Sequence, residues 1–208
     1  MIQGNLEGML DGDYAADEAH LKSLLEETQV LSRLVDDLRT LALAESGALQ
    51  LKKEPTDLAA LISETAAGFR AQADAVGVAL GVEVMAAIPL LDLDPERIRE
   101  VLSNLIANAL RYTPRGGFIS MRLGIIHTGG VQRALVTITD SGPGITAEEL
   151  PHVFDRFYKA RDSGGMGLGL SIAKYLIEAH GGTLDAESES GRGTTMRITL
   201  PVEEGGLQ

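Results

Sequence analysis

The period of the apolar residues changes once along this chain, at Gly47, and that change bounds what the chain can fold into. Before it, Leu21, Leu24, Thr28, Leu31, Val35, Leu38 and Ala42 step by alternating threes and fours, the heptad signature of a long helix. Leu25, Leu34 and Leu41 widen the stripe past a two-stranded seam, as a four-helix bundle requires. Asp17 is placed to cap this helix and Gly47 to stop it, while residues 2–10 read as the end of an earlier helix, with a turn at 11–13. One hairpin cannot cover its own stripe, so a homodimer through the hairpin is expected.

After Gly47 the pattern becomes mixed. An alternating run at 49–53 leads through Pro55 to an N-cap at Thr56 or Asp57 and a helix to about residue 75. Then come a strand at 78–85, a helix at 95–111, strands at 118–127 and 134–140, a glycine-rich loop with short helical segments to 158, a helix at 169–180, and strands at 183–189 and 194–201. This order predicts an α+β fold, a two-layer sandwich with one mixed, mostly antiparallel sheet covered on one face by helices. The expected organisation is a helical hairpin over residues 1–47 and a larger domain over 48–208, with a frayed tail from 203.

Composition supports a folded core: hydrophobic residues make up 44% and charged residues 23% of the 208 positions. The formal charge of -12 opposes a polyanion, so nucleic acid is not an expected partner. Without cysteine, thiolate nucleophiles, disulfides and thiolate-bound zinc are excluded. No apolar run reaches the roughly 20 residues that span a bilayer, and the start lacks the basic and apolar regions of a signal peptide. The expectation is a cytoplasmic chain that meets a membrane only through segments it does not carry.

The residues able to do chemistry fall in separate segments. Asn104, Asn108 and Arg111 follow at helical spacings of four and three and share a face of an otherwise apolar helix. An amide oxygen suits a hard cation without adding charge beside phosphates, although a structural polar network is the commoner use of such a pattern. Asp140-Ser-Gly142-Pro-Gly144-Ile145 follows an alternating strand; Asp140 can accept from an adenine amino group, while the same residues also make an ordinary turn. Ser163-Gly-Gly165-Met-Gly167-Leu168-Gly169-Leu170 opens a helix and offers backbone N–H groups to phosphates. It lacks the Gly-Lys-Ser/Thr of a P-loop, no strand precedes it as in a dinucleotide fingerprint, and the chain has no His-Arg-Asp or Asp-Phe-Gly element. Phe154 and Phe157 read first as core residues, and 159–165 as a mobile lid able to carry Lys159 or Arg161 to phosphates. The last segment, Gly191-Arg-Gly193-Thr-Thr195, turns into the final strand.

In this order the segments resemble the N, G1, F, G2 and G3 boxes of sensor histidine kinases, members of the ATPase superfamily shared with type II topoisomerases and heat-shock chaperones. The helix through Arg33-Leu-Val-Asp-Asp-Leu-Arg and Leu43-Ala-Glu-Ser-Gly is similar to the second helix of that family's dimerisation and phosphoacceptor domain. The resemblance implies ATP and Mg²⁺ as cofactors, with Asn108 as the magnesium ligand and Asn104 nearby. It places Asp140, Gly142 and Gly144 at adenine, Arg111 and Tyr112 by the phosphates and base, and Thr195 beneath the adenine. Gly165, Gly167 and Gly169 would cradle the phosphates, with Ile145, Phe157, Lys159, Leu168 and Leu170 completing the ATP site. The γ-phosphoryl group would pass to a histidine and then to a response regulator.

One departure stands out. The family's acceptor lies in a His-Glu-x-Arg-Thr-Pro type segment, and none of His20, His127, His152 and His180 has that context. The acceptor is expected to lie outside this chain; His20 is a poor substitute, and His180 reads as a helix C-terminal residue held by the dipole. A nucleotide-dependent dimerisation module without phosphotransfer and another ATPase of the superfamily remain open, the latter with Glu100 as its nearest candidate base.

Overall fold

The computed structural model describes Met9 and residues 17–159 and 166–202. Apart from Met9, which is helical, the expected helix at 2–10, the turn at 11–13, Arg161, Gly165 and the tail from 203 lie outside the described residues. Two compact units result, residues 1–49 and residues 50–208.

In the first unit α1, Glu18–Glu45, starts where the Asp17 carboxylate accepts the His20 N–H at 2.9 Å and ends before Gly47, whose φ of 63° stops the helix. Leu21, Leu25, Leu31, Val35 and Leu38 are all exposed while Leu24 is buried, so most of the apolar stripe is open.

In the second unit β1 (Glu54–Thr56) pairs antiparallel with β3 (Leu91–Leu93), a three-residue match that neither segment advertises alone. The alternating run at 49–53 joins no strand. Helix α2, Leu58–Val76, is capped by Asp57, whose side chain accepts from Ala60 N–H, and closes at Gly77 in the left-handed region. The main sheet contains β2 (Ala79–Val84), β4 (Phe118–Thr128), β5 (Val131–Asp140), β6 (Thr183–Glu189) and β7 (Gly193–Pro201), in the spatial order β2-β4-β5-β7-β6. Among the described residues only the β2–β4 pair of this sheet is parallel, so the sheet is mixed. Helices α3 (Pro95–Tyr112) and α4 (Gly169–Ala179) pack on each other; α3 also touches β4 and β5, α4 touches β6, and α2 touches β2.

Strand alternation decides which side the helices cover. Ile119, Met121 and Leu123 of β4, Ala134, Val136 and Ile138 of β5, and Met196, Ile198 and Leu200 of β7 are buried beneath the helices. Ile98, Leu102, Leu105 and Ile106 from α3 and Ile172, Leu176 and Ile177 from α4 meet them, each worth about 1.5–3 kcal/mol of burial. The other face carries Arg122, paired with Glu83, and Arg197, paired with Glu187.

His180 corrects one expectation. It is 2% exposed at the end of α4 and burial lowers its pKa, so it sits there as a neutral ring fixed by hydrogen bonds, not as a cation held by the helix dipole.

Candidate nucleotide-binding site

Helix α3 organises the candidate site. It begins at Asp94, whose side chain accepts the Arg97 N–H, with Pro95 in its first turn, and it buries Val101, Leu102, Leu105, Ile106, Ala109 and Leu110. That apolar stripe leaves Asn104 and Asn108 half-buried at its margin, and Arg111 and Tyr112 exposed at the end with the guanidinium 5.7 Å from the Tyr112 ring centre. Eight residues separate Asn104 from Tyr112, about 12 Å along a helix.

Each end of this stretch meets a different segment. Asn104 Nδ2 donates to the Gly169 carbonyl across 3.5 Å, at the start of α4. At the other end the Tyr112 carbonyl oxygen lies against Gly142, where a β-carbon would come within 3.2 Å of it and 2.7 Å of Asp140 Oδ1. The loop after β5 is pinned further by Phe118, whose N–H donates to Ser141 Oγ at 2.8 Å.

Asp140 is half-buried and held by backbone donors. Its Oδ1 accepts the Gly142 N–H at 2.8 Å, and the backbone of Thr194 adds a second hydrogen bond. Burial raises its pKa, with the two backbone hydrogen bonds opposing the rise. A carboxylate has about four lone-pair positions, so two backbone donors leave it able to accept from a ligand. Gly193, at φ 99°, lets β7 approach this closely, since a β-carbon there would strike the Asp140 carbonyl. Gly144 lies against the Glu189 carbonyl, and the Ile145 N–H donates to Ser188 Oγ at 2.8 Å.

The register corrects the expectation for Thr195. Thr195 is the partner of Thr139, their hydroxyls 3.0 Å apart on the open face, whereas Thr194 is the partner of Asp140, buried, with its hydroxyl 2.9 Å from Ser188 Oγ. Side chains alternate across a strand, so one position decides the face, and the sheet lies between Thr195 and Asp140. Thr194, on the same face as the buried Met196, is therefore the threonine on the Asp140 side of the sheet.

On the glycine segment, Phe157 adopts φ 62° and donates its N–H to the Gly167 carbonyl at 3.0 Å, while a β-carbon on Gly167 would approach the Tyr158 carbonyl to 2.5 Å. This backbone turns Phe157 outward to 59% exposure, so it is not a core residue. Phe154 is half-buried, with Lys174 Nζ 4.9 Å from its ring centre, and Lys159 is exposed. Leu168 is buried, Gly169 and Leu170 are half-buried, and α4 starts at Leu168 with no side-chain cap. The starts of α1, α2 and α3 carry Asp17, Asp57 and Asp94. Among the described residues, only α4 of these has no carboxylate capping its first N–H groups, the condition an anionic ligand needs.

Glu100 is ion-paired with Arg97 at 2.7 Å, so its carboxylate is already engaged. Among the described residues no group of three or more His, Cys, Asp or Glu is placed to hold a metal ion. A depression of about 280 Å³ beside Met85, Arg122, Leu135 and Thr137 shares no residue with the candidate site.

A mixed sheet under helices, with an aspartate loop and an uncapped helix start joined by one asparagine-bearing helix, defines a nucleotide-binding ATPase class. Residues 93–204 match the histidine kinase-, DNA gyrase B- and HSP90-like ATPase family, and the chain belongs to that family as the catalytic ATP-binding part of a sensor histidine kinase. It is 38% identical to the sensor protein SrrB of Staphylococcus aureus over 98% of this chain and 36% of that protein. It therefore spans little more than a third of the length of that curated relative. Among solved structures, the Acinetobacter baumannii histidine kinase AdeS superposes with a TM-score of 0.79 at 30% identity, covering 98% of this chain and 94% of that one. The histidine kinase ThkA in complex with the response regulator protein TrrA gives 0.70 at 25% identity, covering 97% of this chain and 56% of that one. Among the described residues no helix is long and apolar enough to cross a membrane.

Proposed function

We propose that this chain binds Mg-ATP between the Asp140 loop and the start of α4, and passes the γ-phosphoryl group to a histidine outside these residues for relay to a response regulator. The observation that carries the reading is the span of α3, which ties Asn104 to Gly169 at one end and Tyr112 to Gly142 at the other. Asp140 would accept from the adenine amino group, with Gly142 giving the flat base close approach to backbone and Thr194 lining the same face. Gly167, Gly169 and the first N–H groups of α4 would face the phosphates, with Gly165, Ile145, Phe157, Lys159, Leu168 and Leu170 around them, and Arg111 and Tyr112 at the far end of α3. Asn108 would hold magnesium through its amide oxygen, with Asn104 nearby, since an amide adds no charge beside phosphates. When bound, Mg²⁺ would neutralise phosphate charge, and positioning would supply most of the remaining acceleration.

Residues 1–47 would form the dimerisation hairpin, two copies covering the open stripe of α1, and 48–208 the ATP-binding domain. Membrane attachment, where it exists, would come through other segments, with this part on the cytoplasmic side. The response regulator follows by analogy with the ThkA complex.

Calorimetry with Mg-ATP and with Mg-GTP tests the site: binding selective for ATP is expected, and no binding would overturn it. Labelled ATP together with a helical segment bearing the acceptor motif tests the transfer. Label on that helix is expected; tight ATP binding without label would leave a nucleotide-binding module and sink the kinase half. Asn108→Asp should weaken Mg-ATP binding through charge repulsion, and unchanged affinity would remove Asn108 from the metal.

A further inference from the structure

Asp94 and His180 are 86 positions apart, 5% and 2% exposed, and meet where α3 begins and α4 ends. Asp94 N–H donates to His180 Nε2 at 3.0 Å, and His180 Nδ1 lies 2.7 Å from the Leu176 carbonyl oxygen. A backbone N–H can only donate and a carbonyl can only accept, so Nδ1 carries the hydrogen and Nε2 the lone pair. The Asp94 carboxylate is divided in the same way. Its Oδ1 accepts the Arg97 N–H and caps α3, while Oδ2 accepts the backbone N–H of Lys52 at 2.9 Å, on the segment that enters the second unit.

The node therefore touches three things at once: the incoming segment, the helix that carries Asn104 and Asn108, and the helix whose start carries the glycines. Those two helices touch again at Asn104 and Gly169, so contacts near both ends fix how far one can slide along the other. The charged neighbours of His180 are Lys53 on the incoming segment, Asp92 in β3 and Asp94 itself, with Arg133 of β5 close by, its guanidinium donating to the Gly181 carbonyl. A proton on Nε2 would set two donors face to face at 3.0 Å, an arrangement that cannot persist.

We propose that Asp94 and His180 form a positioning node that keeps the Lys52 segment, α3 and α4 in one register, and that proton uptake at His180 Nε2 releases the register and weakens nucleotide binding. The second half rests on the nucleotide site proposed above. The direction follows from burial, which holds the His180 pKa below its ordinary value of 6.5. A released or unfolded state takes the proton more readily, so the stability that the node contributes is complete above 6.5 and is lost as pH falls from there towards the lowered value.

The test compares the wild type with His180→Gln, whose side-chain oxygen can accept the Asp94 N–H but takes up no proton. Affinity for a magnesium complex of a non-hydrolysable ATP analogue is measured by calorimetry from about pH 7.5 to about pH 5.5, across the ordinary histidine range. The wild type should lose about fivefold more affinity than the variant, the low end of usual site-to-site coupling. The comparison cancels the ligand's own protonation, and identical pH profiles overturn the proposal. Amide exchange of the wild type without nucleotide gives a readout that needs no variant. Protection of the Lys52 and Asp94 amides, corrected for intrinsic rates, should fall at acid pH before the sheet amides do. Unchanged protection overturns the node. Absence of nucleotide binding at neutral pH would instead overturn the proposed site and the coupling to it, with the exchange data still deciding the node.

Discussion

The two faces of the β5–β7 ladder differ in what they can do, although their residues are consecutive. On the helix side, Asp140 and Thr194 are register partners, buried or half-buried, tied to each other by the Thr194 backbone and to Gly142 and Ser188. On the open side, Thr139 and Thr195 share a hydroxyl pair next to the surface ion pairs of Arg122 and Arg197. The same backbone thus presents a carboxylate to one side and a hydroxyl pair to the other. Register, not exposure, separates the two: Asp140, Thr139 and Thr195 are all half-buried, and strand alternation sends consecutive residues to opposite faces.

Four substitutions can break or sharpen that contrast. The largest effect belongs to Gly193→Ala, which places a β-carbon against the Asp140 carbonyl at a φ of 99°. It should cost about 3 kcal/mol or more by chemical denaturation; a stable variant would mean that the close approach of β7 is not what holds Asp140. Next comes Asp140→Asn, expected to weaken ATP binding by about 1–3 kcal/mol because a lost acceptor leaves the adenine amino group unpaired. Since burial raises the Asp140 pKa, the folded state holds its proton more tightly than the unfolded one. The carboxyl's own contribution to stability therefore grows as pH falls through that raised value towards 3.8, and is absent in the Asn variant. Stability of the variant at neutral pH should match or exceed that of the wild type in a thermal melt. A large loss would make Asp140 structural.

Smaller still, Thr194→Val removes the hydroxyl partner of Ser188 and should lower stability by about 1 kcal/mol, with weaker nucleotide binding in the same preparation. Thr195→Val should change stability by no more than about 0.5 kcal/mol and leave affinity untouched. An affinity loss confined to Thr195→Val would exchange the roles of the two faces.

Much of this molecule was legible residue by residue. The caps at Asp17 and Asp57, the stop at Gly47, and the runs that became α3, α4 and β4 to β7 all carry local signals, because capping and periodicity act within a turn or a strand. The mixed α+β sandwich followed from their order. Less legible were β1 and β3, three residues each, whose only cause is each other. By residue type alone Phe157 reads as core, whereas the resemblance assigns it to the ATP site; its backbone conformation turns it out of the core. Thr195 is assigned from the resemblance, and residue type cannot separate it from Thr194, because the two are chemically identical.

By itself, then, the sequence determined the long helices and the strands of the main sheet, the order of the segments that resemble nucleotide boxes, and the apolar stripe on α1. Tertiary structure alone decided which of two adjacent threonines shares a face with Asp140, since that depends on strand register across 54 positions from Asp140 to Thr194. It also turned His180 from a helix-end cation into a buried acceptor for Asp94, 86 positions away. The physical reason is the same in both cases. Backbone periodicity is a property of neighbours in the chain, whereas burial and hydrogen-bond partnership are properties of whichever distant segment folding brings alongside.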